Sequence, residues 1–166
     1  MEKGKNYVKL KADDTPTLVS WNPNGSLIGV TTKKKTMNIF DPRTKKVTLK
    51  QKINESFINS KFAWIDNNIF ATTSWTKDEY KVLKLWDIRK IKNDLSCENE
   101  INMIQINKSK NPSNLFANRE FKYLYMTTKE ESLINIYDFS EGIFKQKNPP
   151  FKCTEIPNYS VLFDKK

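Results

Sequence analysis

The chain contains no histidine in its 166 residues. That removes the commonest general base and the commonest metal ligand. It has only 4 glycines, too few for a loop that cradles phosphate with its backbone N–H groups. Its 2 cysteines, Cys97 and Cys153, lie far apart and form no Cys-x-x-Cys motif. Two reduced thiols of an intracellular protein fit that pattern. No apolar run is long enough to span a membrane. The opening Met1-Glu2-Lys3-Gly4-Lys5 leads into no apolar stretch of a secretory signal. Without histidine there is no Ser/His/Asp or Cys/His arrangement. The adjacent carboxylates Asp78-Glu79 and Glu130-Glu131 would point to opposite faces of a strand, which separates them for acid–base work. The expectation is a protein that is not an enzyme and holds neither metal nor cofactor.

Arginine is also scarce: 3 residues against 26 lysines, beside 18 asparagines. The formal net charge is +10. A basic chain invites a polyanionic partner. Arginine is the usual choice for bidentate recognition of phosphate, so its scarcity argues against a dedicated nucleic-acid reader. A lysine- and asparagine-rich bias of the whole chain explains much of the charge. The distribution is nevertheless uneven, with 11 basic and 4 acidic residues in positions 1–50.

What the chain does contain is a repeat. Val82-Leu83-Lys84-Leu85-Trp86-Asp87 is a short apolar strand that ends in an aromatic-Asp step. It recurs as Met37-Asn38-Ile39-Phe40-Asp41 and as Ile134-Asn135-Ile136-Tyr137-Asp138. The aromatic positions Phe40, Trp86 and Tyr137 are 46 and 51 residues apart. Blades of β-propellers recur about every 40–50 residues, and a Trp-Asp step is their mark. A second signal is a Thr-Thr pair that closes the preceding strand: Thr31-Thr32, Thr72-Thr73 and Thr127-Thr128. On that alignment the middle unit carries an insertion of about five residues, with Ser74 to Lys81 as its loop.

The fold class expected is all-β, with WD40-type propeller blades and almost no helix. Residues 1–17 form a polar segment, with Tyr7-Val8-Lys9-Leu10 as a candidate edge strand. Three blade units follow at about 18–53, 57–95 and 101–148, and 149–166 is an irregular tail. In the first unit the strands are Leu18–Trp21, Leu27–Thr32, Met37–Phe40 and Val47–Ile53. Asn22-Pro23-Asn24-Gly25 supplies the first turn, with proline fixing one φ and glycine taking a positive one. In the second unit they are Phe57–Ile65, Ile69–Thr73 and Val82–Trp86, with a weak fourth in the polar stretch Ile91–Glu100. In the third they are Ile101–Ile106, Tyr123–Thr128 and Leu133–Tyr137, with a loop through Asn111-Pro112-Ser113-Asn114. Three units are fewer than the roughly four to eight of a closed propeller.

Val19-Ser20-Trp21-Asn22, then Asn24-Gly25-Ser26-Leu27, a lysine-rich bend and Ile39-Phe40-Asp41-Pro42-Arg43 resemble the middle of a coronin propeller. The next unit is similar: Thr72-Thr73-Ser74-Trp75, a polar charged loop, then Leu83-Lys84-Leu85-Trp86-Asp87. The resemblance runs from about Leu18 to Phe163 and is best over Leu18–Arg89. The third unit departs from it, with Lys129-Glu130-Glu131-Ser132 where the family has a glycine-rich bend. The resemblance implies a seven-bladed propeller that binds filamentous actin and organises its turnover without catalysis. About three of seven blades are present, so the chain is expected to be a fragment, a truncated relative or a piece completed by another chain. The family's basic actin contact lies in a first blade that has no counterpart here.

The candidate partner-binding residues are few. Lys33-Lys34-Lys35 with Lys45-Lys46 is the densest basic cluster; it faces either an acidic partner such as actin, an anionic lipid, or only solvent. Trp75 and Tyr80, in the inserted loop, either anchor a partner or tuck onto the blade edge. Phe40, Asp41, Trp86, Asp87, Tyr137 and Asp138 are structural marks of the repeat, the Asp side chains capping strand ends. Two functions remain. One is a coronin-type actin-associated cytoskeletal scaffold of the cytoplasm. The other is a WD-repeat subunit of a different assembly, including a ribonucleoprotein, where the positive charge would meet phosphate.

Overall fold

A computed structural model describes residues 9–56, 58, 60–92, 99–128 and 131–153. All regular structure among them is β, in twelve strands and no helix. The first sheet holds β1 (Pro16–Trp21), β2 (Ile28–Thr32), β3 (Thr36–Asp41) and β4 (Lys46–Lys52). The second holds β5 (Phe62–Trp64), β6 (Ile69–Trp75), β7 (Tyr80–Asp87) and β8 (Asn102–Lys108). The third holds β9 (Ser113–Asn118), β10 (Tyr123–Thr128), β11 (Leu133–Asp138) and β12 (Lys145–Lys152). Each sheet is an antiparallel meander in chain order. The first strands of the blades are neighbours, β1 packing on β5 and β5 on β9. This is the inner edge of a propeller, and the three blades leave it open.

Two apolar layers join the blades. Met37, Ile39 and Leu49 of the first meet Phe62, Trp64, Phe70 and Trp86 of the second. Trp64 meets Phe70 edge-on at 5.6 Å, and Phe70 stacks on Trp86 at 6.1 Å. On its other side the second blade sets Ala71, Leu83 and Leu85 against Leu124, Met126 and Tyr137 of the third. Adjacent residues of β7 thus serve different layers, which explains its near-continuous apolar run: a strand covered on both faces need not alternate. Each fully buried side chain of this size contributes about 1.5–3 kcal/mol. The outer face of the first blade is only partly covered, Leu10 and Ala12 lying over Ile28, Val30 and Phe40. Val19 and Trp21 remain 63% and 52% exposed there, and Phe151 is 62% exposed on the last strand of the third blade.

Several strand assignments differ from the sequence expectation. Asn102–Lys108 does not open the third unit. It pairs with β7 as the outer strand of the second blade, and Ile91–Glu100 supplies no strand among its described residues. Burial alternates along β8, as on any edge strand with one face packed, so its pattern fits either position. The third blade instead opens at Ser113–Asn118, where a loop was expected. Its fourth strand, β12, runs through Pro149 and Pro150 and takes part of the expected tail. Proline is compatible with an edge strand, whose outer side needs no donors. Of the candidate edge strand at 7–10, Lys9 and Leu10 are not in a strand, and Tyr7 and Val8 lie outside the described residues. Phe57 lies outside them too.

Cross-strand register also moves the repeat alignment by one residue in the second blade. Ile28 pairs with Phe40, Phe70 with Trp86 and Leu124 with Tyr137. Thr31, Thr73 and Thr127 are therefore equivalent, and Ser74 stands where the other blades have Thr32 and Thr128. The shared feature is a buried hydroxyl at that place. The insertion is four residues rather than five, and it does not form a loop. It lengthens the β6–β7 hairpin by the pair Trp75 and Lys81, closed by a turn at Thr76–Glu79.

Candidate functional site

The aromatic-Asp steps build one turn in two ways. Arg43 donates its backbone N–H and Nε–H to Asp41 Oδ1, both at 2.9 Å, and a terminal N–H to Asp41 Oδ2 at 2.7 Å. Arg89 grips Asp87 in the same manner at 3.0, 2.9 and 2.7 Å. The planar guanidinium matches a carboxylate as a fork. In the third blade Ser140 replaces the arginine; its N–H meets Asp138 Oδ1 at 2.8 Å, and Lys147 reaches Oδ2 from β12 at 3.4 Å. The Arg43 hydrogen bonds hold the Asp41 carboxyl down at about 2. The Arg89 side chain lowers Asp87, and Ser140 lowers Asp138. These carboxylates are engaged in closing their own turns.

The polar residue at the centre of each third strand is buried and partnered. Asn38 donates to Asp13 at 2.7 Å, and Asp13 also receives Thr36 and Lys50. Lys84 pairs with Glu100 at 3.1 Å. Asn135 accepts from Gln146 at 3.4 Å. Polar contacts also cross between blades. Ser74 donates to the Ile53 carbonyl, and the fully buried Lys81 donates to Thr128 at 3.2 Å, with Ser113 beside it at 3.1 Å. Burial pushes the Lys81 ammonium down, while the Glu131 carboxylate partly offsets it. Sequence reasoning passed over Lys81, because a lysine in a presumed loop reads as solvated; the lengthened hairpin is what buries it.

The structure does not bring the lysines together. Lys33-Lys34-Lys35 form the β2–β3 turn, and Lys45-Lys46 close the β3–β4 turn. Those turns lie at opposite ends of β3, six residues and about 20 Å long. Lys33, Lys34, Lys45 and Lys46 are exposed, whereas Lys35 is half-buried and reaches the Glu55 carbonyl at 3.5 Å. Trp75 is not an exposed anchor. It is 2% exposed, and its Nε1–H donates to the Ser109 carbonyl at 2.6 Å. Its size and the loss of solvent contact outweigh its place in an insertion. Tyr80 is half-buried at the start of β7, with the Lys108 ammonium 5.8 Å from its ring. Among the described residues no group of three or more Cys, Asp or Glu is placed to hold a metal ion. No helix there is long and apolar enough to cross a membrane.

Four-stranded meanders with neighbouring inner strands and an aromatic-Asp step closing each third strand define a partial WD-repeat β-propeller. The WD40 domain of Toxoplasma gondii coronin has this fold: TM-score 0.78 at 23% identity, over 86% of this chain and 36% of that one. No protein-family model matches the chain. In sequence the chain is coronin-like along most of its length. It is 24% identical over 144 residues to the coronin-like protein crn1 of Schizosaccharomyces pombe, covering 86% of this chain. It is 24% identical over 158 residues to the coronin-like protein of Saccharomyces cerevisiae, covering 93% of it. The chain spans 23% of the length of each of these relatives.

Proposed function

We propose that this protein is a non-enzymatic scaffold that binds filamentous actin and acts at the cytoskeleton. The observation that carries the reading is the coronin-like sequence along 86% and 93% of the chain in two relatives. The site chemistry supports it. The Asp, Thr and Lys groups that would attract attention are tied up in turns and blade contacts. The surface charge is suited to holding another macromolecule. The turn Lys33-Lys34-Lys35 at one end of the first blade, exposed at Lys33 and Lys34, is the part offered to an acidic filament. Other protein subunits would use the remaining blade surface.

Co-sedimentation with actin filaments tests this directly. Saturable pelleting with filaments, and not with an equal mass of bulk RNA, is the expected result. Binding to RNA without pelleting on actin would replace the reading with that of a subunit in a ribonucleoprotein assembly.

A further inference from the structure

Between the outer strands of the first two blades lies a cleft of about 210 Å³. Its lining includes Ile53 and Glu55, just beyond β4, Val82 and Lys84 of β7, and Glu100 and Met103 at the start of β8. The Lys84–Glu100 ion pair and the Ser74–Ile53 hydrogen bond described above lie in its wall.

Its chemistry is unusual for this chain. Glu100 Oε1 meets Lys84 Nζ at 3.1 Å, but Glu100 Oε2 is buried with no hydrogen-bond partner among the described residues. An ionised carboxylate accepts through both oxygens, and a buried oxygen left unmatched is unfavourable. The lining carries two carboxylates, Glu55 and Glu100, and one ammonium, Lys84, so it is net negative in a chain of net charge +10. Met103, 48% exposed although it is large and hydrophobic, supplies the accessible apolar wall; Ile53 and Val82, which also line the cleft, are fully buried. A ligand with an aliphatic stem and a cationic head fits both features at once. The stem lies along the apolar wall, and the head donates to Oε2. An anion would meet two carboxylates, and an apolar ligand would leave Oε2 unmatched.

We propose that this cleft is a docking site for a lysine or arginine side chain of a partner polypeptide. It is independent of the actin reading and lies on the circumference of the blades, where a passing chain can insert one side chain.

The probe is the capped peptide acetyl-Gly-Lys-Gly-amide, titrated into the intact protein while the backbone amide signals of Glu100 and Met103 are followed by NMR. Its norleucine counterpart, which keeps the stem and loses the charge, and the free diamine putrescine are run in parallel. Saturable shifts with a midpoint of about a millimolar are expected for the lysine peptide. The norleucine peptide should bind at least tenfold more weakly, and putrescine no more tightly than the lysine peptide. Equal binding of the two peptides, or tighter binding of putrescine, overturns the proposal without any substitution being made. Two variants then move in opposite directions. Glu100→Gln should weaken the lysine peptide at least tenfold, whereas Lys84→Met removes the competing cation and should strengthen it severalfold. A change of the same sign in both folded variants overturns it too.

Discussion

Tyr137 occupies in the third blade the place that Trp86 holds in the second, but only one of the two satisfies its polar atom. Trp86 Nε1–H donates to Thr72 Oγ1 at 2.9 Å. The Tyr137 hydroxyl is buried with no partner among the described residues, because Met126 stands where the second blade has Thr72. Burial also raises the Tyr137 phenol well above its ordinary range. The two positions should therefore respond oppositely to phenylalanine. Tyr137→Phe removes an unmatched hydroxyl and should leave stability unchanged or raise it by about 1 kcal/mol. Trp86→Phe loses a hydrogen bond and packing volume and should cost about 2–4 kcal/mol. Thermal melts of the two variants check this, with each kcal/mol moving Tm by about 2–4 °C. A lower Tm for Tyr137→Phe would mean that the hydroxyl has a partner.

A second expected outcome concerns Gly29, which is needed for closeness rather than for its φ. A Cβ there would lie 2.7 Å from Met37 Cε and 3.0–3.1 Å from the ring of Phe62. The methionine end can swing away, but the ring is held edge-on against Trp64 at 6.3 Å. Gly29→Ala should cost about 1–3 kcal/mol by overpacking the layer between the first two blades. Phe62→Leu in the same chain should recover part of that loss. Loss without recovery in a denaturant titration would place the strain elsewhere.

Part of this architecture is legible in particular residues of the sequence. Phe40-Asp41, Trp86-Asp87 and Tyr137-Asp138 were readable because an aromatic must fill an inter-blade layer and an Asp must close the turn beside it. Each demands one residue type at one place. Asn102–Lys108 was not assignable, because alternation marks a strand and not the sheet it joins. Ser113–Asn118 is not legible as a strand because the turn chemistry of Asn111-Pro112-Ser113-Asn114 runs into its first two residues. Trp75 and Lys81 were misplaced together: the hairpin is lengthened by a cross-strand pair, a contact between residues six apart that no local propensity shows. The lysine clusters shared a unit in sequence, and only the direction of β3 separates them.

Glycine scarcity gives a third outcome. Lys35, Lys45, Glu79 and Lys122 hold φ values of 65°, 58°, 66° and 56°, the left-handed region where glycine is usual. A residue with a Cβ is disfavoured there by about 1–2 kcal/mol, partly offset by the larger entropy that glycine loses on folding. Lys45→Gly should therefore stabilise by about 0.5 kcal/mol, a small rise in Tm. The same change at Lys46, in β4, should destabilise. Equal effects at both positions would argue against the backbone cause.

A fourth concerns acid. Asp41, Asp87 and Asp138 all have lowered carboxyl groups, Asp41 at about 2. A folded-state value below the ordinary one, near 4, stabilises the protein above pH 4, and that contribution is lost as pH falls toward 2. Melting temperature should drop over this interval. Arg43→Ala removes the main cause at Asp41 and should bring that carboxyl back toward the ordinary range in an NMR titration. The variant should be less stable at neutral pH, and the difference from the parent should shrink toward pH 2. A constant difference across the interval would show that Arg43 acts through something other than the Asp41 charge.

The last outcome tests which end of the first blade meets the partner. Lys33-Lys34-Lys35 and Lys45-Lys46 sit about 20 Å apart at opposite ends of β3, so a filament lying against one end does not reach the other. Exposed ion pairs contribute only about 0–1 kcal/mol each and act largely through long-range attraction. One Lys→Ala change should be nearly silent. Reversing Lys33, Lys34 and Lys35 together to Glu changes the sign of the local field, and should weaken co-sedimentation with actin filaments about tenfold at low salt. The loss should fade as salt rises from about 0.1 M, where charges are felt over about 10 Å, to about 1 M, where the range is about 3 Å. Lys45→Glu with Lys46→Glu should pellet like the parent at every salt concentration. If the second variant loses binding and the first does not, the contacting end is the one that carries Asp41 and Asp87. If both pellet like the parent, the lysine turns are solvated and the filament contact does not run through this blade.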